Sequence, residues 1–309
     1  MLISSEQVLR DIQIGQAITA VEQALLRMGA GLVSAPVSMG VAVADGTFHV
    51  KACTSTPPDA AGLFVAKINA NFPANSATGR PTIQGAIAVF DTRHGDLLAI
   101  VDSPSITALR TAATTALVIR HLAPRDARVA TVVGCGMQGR FHLEALQACG
   151  IQRVHLFDTV SPQARALAQW ARVTLGINCE AVDDMRRATL ASRVIVTCTP
   201  SRQAFLGADD VGPGTLVAAV GADNEGKSEI DPALLTRARV VTDLTAQCLK
   251  AGDLHHAPTS VVCGELADVV AGRVARTAAD DIVVFDSTGL AVQDLALCEL
   301  LVSARPPFA

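Results

Sequence analysis

The stretch from Ala127 to Asp158 constrains this chain more than any other. A mostly apolar, β-branched run, Val129-Ala130-Thr131-Val132-Val133, leads into the turn Gly134-Cys135-Gly136-Met137-Gln138-Gly139. A helical pattern follows from Phe141 to Leu146, and then a short strand, Val154-His155-Leu156-Phe157, ends at Asp158. The order is strand, G-x-G-x-x-G, helix, strand, acid. Gly134 permits the tight turn, Gly136 lets the backbone approach a pyrophosphate, and Gly139 allows close helix–strand packing. The helix start offers free N–H groups and the positive end of its dipole to phosphate. Asp158 follows about 20 residues later, where a carboxylate accepts hydrogen bonds from an adenosine ribose. A lone glycine triplet also occurs in ordinary strand–helix connections; with both strands and the acid in place, dinucleotide binding is expected. Asp158 would repel a 2′-phosphate, and Thr159-Val160-Ser161 supply no arginine to neutralise one, so NAD is preferred over NADP.

Three zones follow from the pattern. Residues 1–121 mix an N-terminal amphipathic helix, marked by Ile14, Ile18, Val21 and Leu25, with strand-like pieces at Val37–Val43, Thr47–Val50, Leu63–Ile68 and Ala86–Phe90. Turns are expected at Ala44-Asp45-Gly46, Pro57-Pro58-Asp59 and His94-Gly95-Asp96, and a long helix over Ile106–Leu122. Residues 122–289 alternate strands and helices, as a doubly wound parallel sheet does. After Asp158 these are the helix Pro162–Leu175 and strands at Arg193–Cys198, Gly214–Val220, Arg239–Asp243 and Ile282–Phe285. A last apolar helix, Leu290–Val302, is free to pack back on the first zone. The expected class is α/β, a Rossmann-type sheet plus an α+β domain built from 1–121 with 290–309.

Composition narrows the setting. The 309 residues are 50% hydrophobic and 17% charged, which excludes global disorder. With one Trp, nine Phe and no Tyr, the core has to come from Ala, Val, Leu and Ile. A net charge of −4 and no aromatic-studded basic stripe argue against nucleic acid as a partner. Eight scattered cysteines with no C-x-x-C suggest neither zinc nor a disulfide framework, and read as free thiols in a reducing cytosol. Residues 1–30 show no basic leader and apolar h-region, and no apolar run reaches a membrane span, so a cytoplasmic protein is expected. The tandem His255-His256 reads as solvated loop, and no metal site is expected.

Three segments could carry chemistry. Lys67 ends an apolar strand before Asn69, Asn71, Pro73 and Asn75; it either snorkels to solvent or sits in a polar pocket. Arg110 lies near a helix start among Ser105, Thr107, Thr111 and Ala112, where its fork suits a carboxylate or a structural ion pair. Asp223 follows the strand ending near Val220, on the sheet edge that borders the ligand crevice of such folds. It can take a proton or bind a substrate amine, or it is a cap or turn residue.

Taken together, these segments resemble the ornithine cyclodeaminase and mu-crystallin family, in order and over nearly the whole chain. The matching pieces are Lys67–Asn75, Pro81-Thr82-Ile83-Gln84-Gly85, Phe90-Asp91, Ile106–Ala113, the glycine turn with Gln138, and Gly221–Glu229. Gly264-Glu265-Leu266, Val284–Gly289 and Gln293-Asp294 complete the set. The resemblance implies a homodimer with a substrate and dimerisation domain beside a Rossmann domain, and enzymes that interconvert amino acids and imines with NAD(H) or NADP(H). It implies that Lys67 contacts the substrate carboxylate or imine region, Arg110 holds the carboxylate, and Asp223 serves as acid/base and amine anchor. The cofactor would meet Gly134, Gly136, Met137, Gln138, Gly139 and Asp158, with Thr111, Thr199 and Gly221. Two departures stand out. Ser38 occupies a place where many members carry arginine, with Lys51 as a candidate replacement cation or else a solvated edge-strand lysine. His49 falls near where the ornithine-specific enzyme has an acid.

The resulting expectation is an NAD-dependent cyclodeaminase or oxidoreductase acting at the Cα–N bond of a small L-amino acid or cyclic imine. The rivals are a ketimine reductase or alanine-type dehydrogenase with net NADH turnover and, from another class, a crystallin-like binding protein without turnover.

Overall fold

A computed structural model describes residues 1–57 and 61–304. The chain forms two compact units, Met1–Ala113 with Leu290–Ala309, and Thr114–Gly289. The division falls inside one helix, since Ser103–Leu122 runs without a break.

The first unit opens with β1 (Leu2–Ile3), α1 (Ser5–Asp11) and α2 (Ile14–Gly29). Ser4 caps α1 by accepting from the Gln7 amide while the Gln7 side chain accepts from the Ser4 amide, satisfying two helix-end donors at once. Along α2 the buried residues Ala17, Ile18, Val21, Ala24 and Leu25 form the one-sided stripe that a 3.6-residue period produces. Then come β2 (Val37–Val43), β3 (Gly46–Thr54), β4 (Leu63–Asn71), β5 (Ile83–Asp91) and β6 (Leu97–Asp102), before α3 (Ser103–Leu122). The sheet order is β1-β6-β5-β4-β3-β2, antiparallel except for the β1–β6 pair.

The expected strands are present, and three are longer than their apolar cores because hairpin pairing carries the ladder through polar residues. β4 continues through Asn69 to Asn71, for instance, against Gly85 and Ile83. β6 was not expected. The turn before it is built by Asp91, whose Oδ1 accepts from the amides of Arg93, His94 and Gly95, with Gly95 at φ +77°. Of the expected turn Pro57-Pro58-Asp59, Pro58 and Asp59 lie outside the described residues.

The second unit holds β7 (Val129–Val133), α4 (Met137–Ala148), β8 (Arg153–Phe157), α5 (Ser161–Thr174), β9 (Asn178–Ala181), α6 (Met185–Leu190) and β10 (Val194–Thr197). It continues with β11 (Leu216–Ala219), α7 (Pro232–Arg237), β12 (Arg239–Thr242), α8 (Thr245–Ala251), β13 (Val262–Glu265), α9 (Leu266–Val270) and β14 (Val283–Asp286). All eight strands are parallel in the order β13-β12-β14-β11-β10-β7-β8-β9, a Rossmann-type sheet. Every residue of β10, β11 and β14 is buried, which is why these strands read as continuous apolar runs without alternation. Chain order reverses between β7 and β10, so the crevice at their carboxyl ends is the topological switch point where such sheets take ligands.

The chain then returns to the first unit as α10 (Ala291–Ser303), which packs on α2, β3 and β4. Its buried residues run continuously from Ala291 to Cys298 and include Gln293 and Asp294. Strand alternation divides the first sheet into two faces. Cys53, Val65, Lys67, Ile87, Val89, Ala99 and Val101 are buried on one; Val37, Met39, Val41, Phe48, Phe64 and Ile68 are exposed on the other. No described helix is long and apolar enough to cross a membrane.

Candidate functional site

In the second unit the glycine turn has the geometry its spacing predicts. Gly134 lies at φ +103°, and a Cβ there would stand 2.8 Å from the Cys198 carbonyl oxygen, so neither its backbone nor its surroundings admit a side chain. A Cβ on Gly139 would stand 2.2 Å from the Gly134 carbonyl, which is the close helix–strand contact. Around Gly136 there is open space, and it caps α4 without any side-chain hydrogen bond. The first amides of α4, at Met137, Gln138 and Gly139, therefore face an uncrowded approach, the arrangement that binds pyrophosphate.

Asp158 stands directly after β8. Its Oδ2 accepts from the Cys135 amide at 2.8 Å and its Oδ1 from the Val160 amide at 2.8 Å. The carboxylate is thus fixed against the glycine turn, and each oxygen keeps a lone pair for a ribose hydroxyl. Gln138 Oε1 is buried with no hydrogen-bond partner among the described residues. Thr199 and Gly221 both bind Glu229, a residue the sequence did not single out: Thr199 N and Oγ1 donate to its Oε1, and Gly221 N to its Oε2.

Asp223 lies four residues past β11 with its side chain about half exposed, and its Oδ1 accepts from Lys227 Nζ at 2.7 Å and from Asn224 Nδ2 at 3.2 Å. Lys227 was not anticipated either. Its place four residues on, just past the turn Asn224-Glu225-Gly226, brings its ammonium back to the acid.

The first unit brings together Lys67, Arg110, Thr107, Gln293 and Asp294. Lys67 Nζ lies 2.7 Å from Asp294 Oδ2 and 3.4 Å from Thr107 Oγ1, while Arg110 Nε lies 3.6 Å from Asp294 Oδ1. An Arg110 Nη donates to Gln293 Oε1 at 3.0 Å, which also accepts from the Leu290 amide at the start of α10. All but Thr107 are buried, and Lys67 does not snorkel. Burial pulls its pKa down to about 8; Asp294 opposes that shift, whereas Arg110 and Lys51 add to it. Gln293 Nε2, a donor, is buried with no acceptor among the described residues.

Asp294 and Gln293 escaped assignment as site residues, although a polar pair inside Ala291-Val292-Gln293-Asp294-Leu295-Ala296-Leu297 is the signal that would have found them. Thr111, one residue past Arg110, gives its hydroxyl to the Thr107 carbonyl at 2.7 Å. Lys51 pairs directly with Lys67 across β3 and β4, and with Ser38 across β2 and β3. Ser38, Lys51 and Lys67 therefore form one cross-strand row on one face, with His49 beside them opposite Asn69. His255 and His256 lie exposed in a short 3-10 turn, and no group of residues among those described could hold a metal.

Against known proteins, the defining pattern of the ornithine cyclodeaminase/mu-crystallin family matches residues 1–303. The iminosuccinate reductase of Paracoccus denitrificans is 35% identical over 255 residues, covering 79% of this chain and 78% of that protein. The alanine dehydrogenase of Archaeoglobus fulgidus is 30% identical over 311 residues, covering 97% and 94%. Among solved structures, an archaeal alanine dehydrogenase dimer with bound NAD is similar at a TM-score of 0.92 and 28% identity, covering 98% of this chain and 95% of that one.

Proposed function

The chain belongs to the ornithine cyclodeaminase/mu-crystallin family, and from that premise we propose that it is an NAD-dependent oxidoreductase interconverting a small L-α-amino acid and its imine. The buried donor cluster of the first unit carries the reading. Lys67, Arg110 and Gln293 present an ammonium, a guanidinium fork and an amide N–H₂, all oriented by Asp294 and the start of α10. That donor set suits an α-carboxylate.

The second unit fits NAD: the glycine cradle is open only where phosphate would approach, and Asp158 offers lone pairs to a ribose while opposing a 2′-phosphate. NAD supplies the hydride acceptor or donor for Cα. Arg110 and Lys67 bind and orient the substrate carboxylate. Asp223 takes a proton from the substrate ammonium, so that the nitrogen lone pair can form the imine; in the reducing direction it returns that proton. Lys227 holds the Asp223 carboxylate in place.

The positions around Lys67 on its sheet face favour net redox turnover over cyclodeamination. Ser38, His49, Lys51, Asn69, Gly85 and Ile87 include no carboxylate to hold the second ammonium of a diamino acid. The test is a screen of 2-oxo acids with ammonia and of cyclic imines, each with NADH, beside ornithine and lysine with NAD⁺. NADH consumption without net ammonia release supports the proposal; ammonia release without net NADH change selects the cyclodeaminase, and neither change selects a binding protein.

We also propose a homodimer formed through the apolar face of the first sheet. Along β2, Val37, Met39, Val41 and Val43 are 43–66% exposed, and Met39 and Val41 pair with Val50 and Phe48, which continue to Ile68 and Ala70 on β4. A contiguous apolar surface ending in an open edge strand calls for a partner, and a second copy presents the matching surface. The reducing cytosol expected from the cysteines remains the proposed setting.

A further inference from the structure

The Glu229 carboxylate is fully buried and accepts four hydrogen bonds: from Thr197 Oγ1 at 2.7 Å, Thr199 N at 2.7 Å, Thr199 Oγ1 at 2.7 Å and Gly221 N at 2.9 Å. Each oxygen takes one hydroxyl and one backbone N–H. A hydroxyl can rotate to suit a new partner, but a backbone N–H cannot. An amide in place of the acid would therefore set its N–H₂ against a fixed N–H whichever way it is flipped. Packing makes the same demand. A Cβ on Gly221 would stand 2.5 Å from Glu229 Cδ, so the segment leading to Asp223 rests directly on the carboxylate. Thr199 Cγ2 and the Cys198 carbonyl lie 3.1 and 2.8 Å from where a Cβ on Gly134 would be, so the end of β10 in turn abuts the glycine turn.

We propose that ionised Glu229 is a positioning residue for dinucleotide binding, holding the ends of β10 and β11 in the register that sets the glycine turn and the Gly221–Asp223 segment. Protonation loosens that register and weakens the site. The proposal rests on the dinucleotide reading of the second unit. It needs a proton exchanged near neutrality, and burial, followed by the charge of Asp253, raises the Glu229 pKa to about 7 against its hydrogen bonds. The titratable groups around it are Asp253, whose Oδ1 accepts from the Glu229 amide, Asp286 beyond it, and the thiols of Cys198 and Cys135. Burial pushes both thiols up, Cys135 to about 12, so neither changes charge near neutrality.

The test is NADH binding to the full chain without substrate, read by cofactor fluorescence from pH 6 to 9, with thermal melts beside it. A site competent only when Glu229 is ionised loses about tenfold in apparent affinity from pH 8 to pH 6. Glu229→Gln should bind weakly and equally across that range. Thr197→Val, which keeps shape and removes one donor to the carboxylate, should move the midpoint to higher pH. A folded Glu229→Gln protein with wild-type affinity and pH dependence overturns the proposal. So does a Thr197→Val midpoint that stays where it was, which decides the matter even where the glutamine variant fails to fold. Wild-type NADH binding that ignores pH defeats this proposal alone, whereas no NADH binding at any pH defeats the dinucleotide reading as well.

Discussion

Lys67 Nζ and Asp294 Oδ2 lie 2.7 Å apart, one on β4 and one on α10, both buried away from water. Neither charge can be left alone there at low cost, and each sets the position of the other. Arg110 shares the same acid and is tied through Gln293 to the first turn of α10. The pair is therefore the anchor of the proposed carboxylate site.

Its first consequence is a pH profile. Lys67 is charged below about 8 and neutral above it. The second-order rate constant kcat/KM should fall as pH rises through that value, by up to about tenfold per unit, because the free enzyme loses a carboxylate-binding charge. Stability should move the other way. The folded pKa is lower than the ordinary 10.5, so the unfolded chain binds more protons between the two values and the fold gains stability as pH rises across that window. Rate profiles and melts from pH 6 to 10 check both signs, and Lys67→Met should abolish the falling limb.

Removing the acid should cost the fold more than it costs the cofactor site. Asp294→Asn leaves buried Lys67 and Arg110 without their shared carboxylate, a loss on the order of 3 kcal/mol in denaturant unfolding at neutral pH. Lys67→Met combined with Asp294→Leu should lose less than the sum of the single changes, and strict additivity would contradict the pairing.

Arg110→Ala should raise substrate KM by roughly 2–5 kcal/mol, equivalent to about 30-fold or more, with NADH affinity changed less than about twofold. Unchanged KM would assign Arg110 to structure alone.

NADH should bind at least about tenfold more tightly than NADPH, a difference of about 1.4 kcal/mol, because Asp158 opposes a 2′-phosphate. Titration of each cofactor measures the ratio, and Asp158→Ser should narrow it.

Val41→Glu, on the exposed face of β2, should place like charges across the proposed interface between copies and shift the protein toward monomer in sedimentation. An unchanged dimer would locate the interface elsewhere, and a wild-type monomer would remove the proposal.

Local patterns in the sequence already specify the second unit. A glycine turn between two apolar runs needs positive φ and close backbone contact, and both constraints are local, so Gly134, Gly139 and Asp158 could be placed from spacing alone. Parallel strands buried on both faces announce themselves as apolar runs. Strands completed by pairing do not: β9 and β13 are short, mixed segments that become strands only by pairing with β8 and β12 across an intervening helix. The same reason hid half of the candidate site. Lys67 could have been a surface lysine, and only the return of α10 across the sheet supplies Asp294 and turns it into a buried, ion-paired ammonium. Glu229 likewise carries no local signal, since its role comes from donors on two strands that meet only in the folded sheet. Periodicity and turn chemistry act over a few residues and are written in the chain; charge pairing and hydrogen-bond satisfaction in a dry interior depend on which distant segments are brought together.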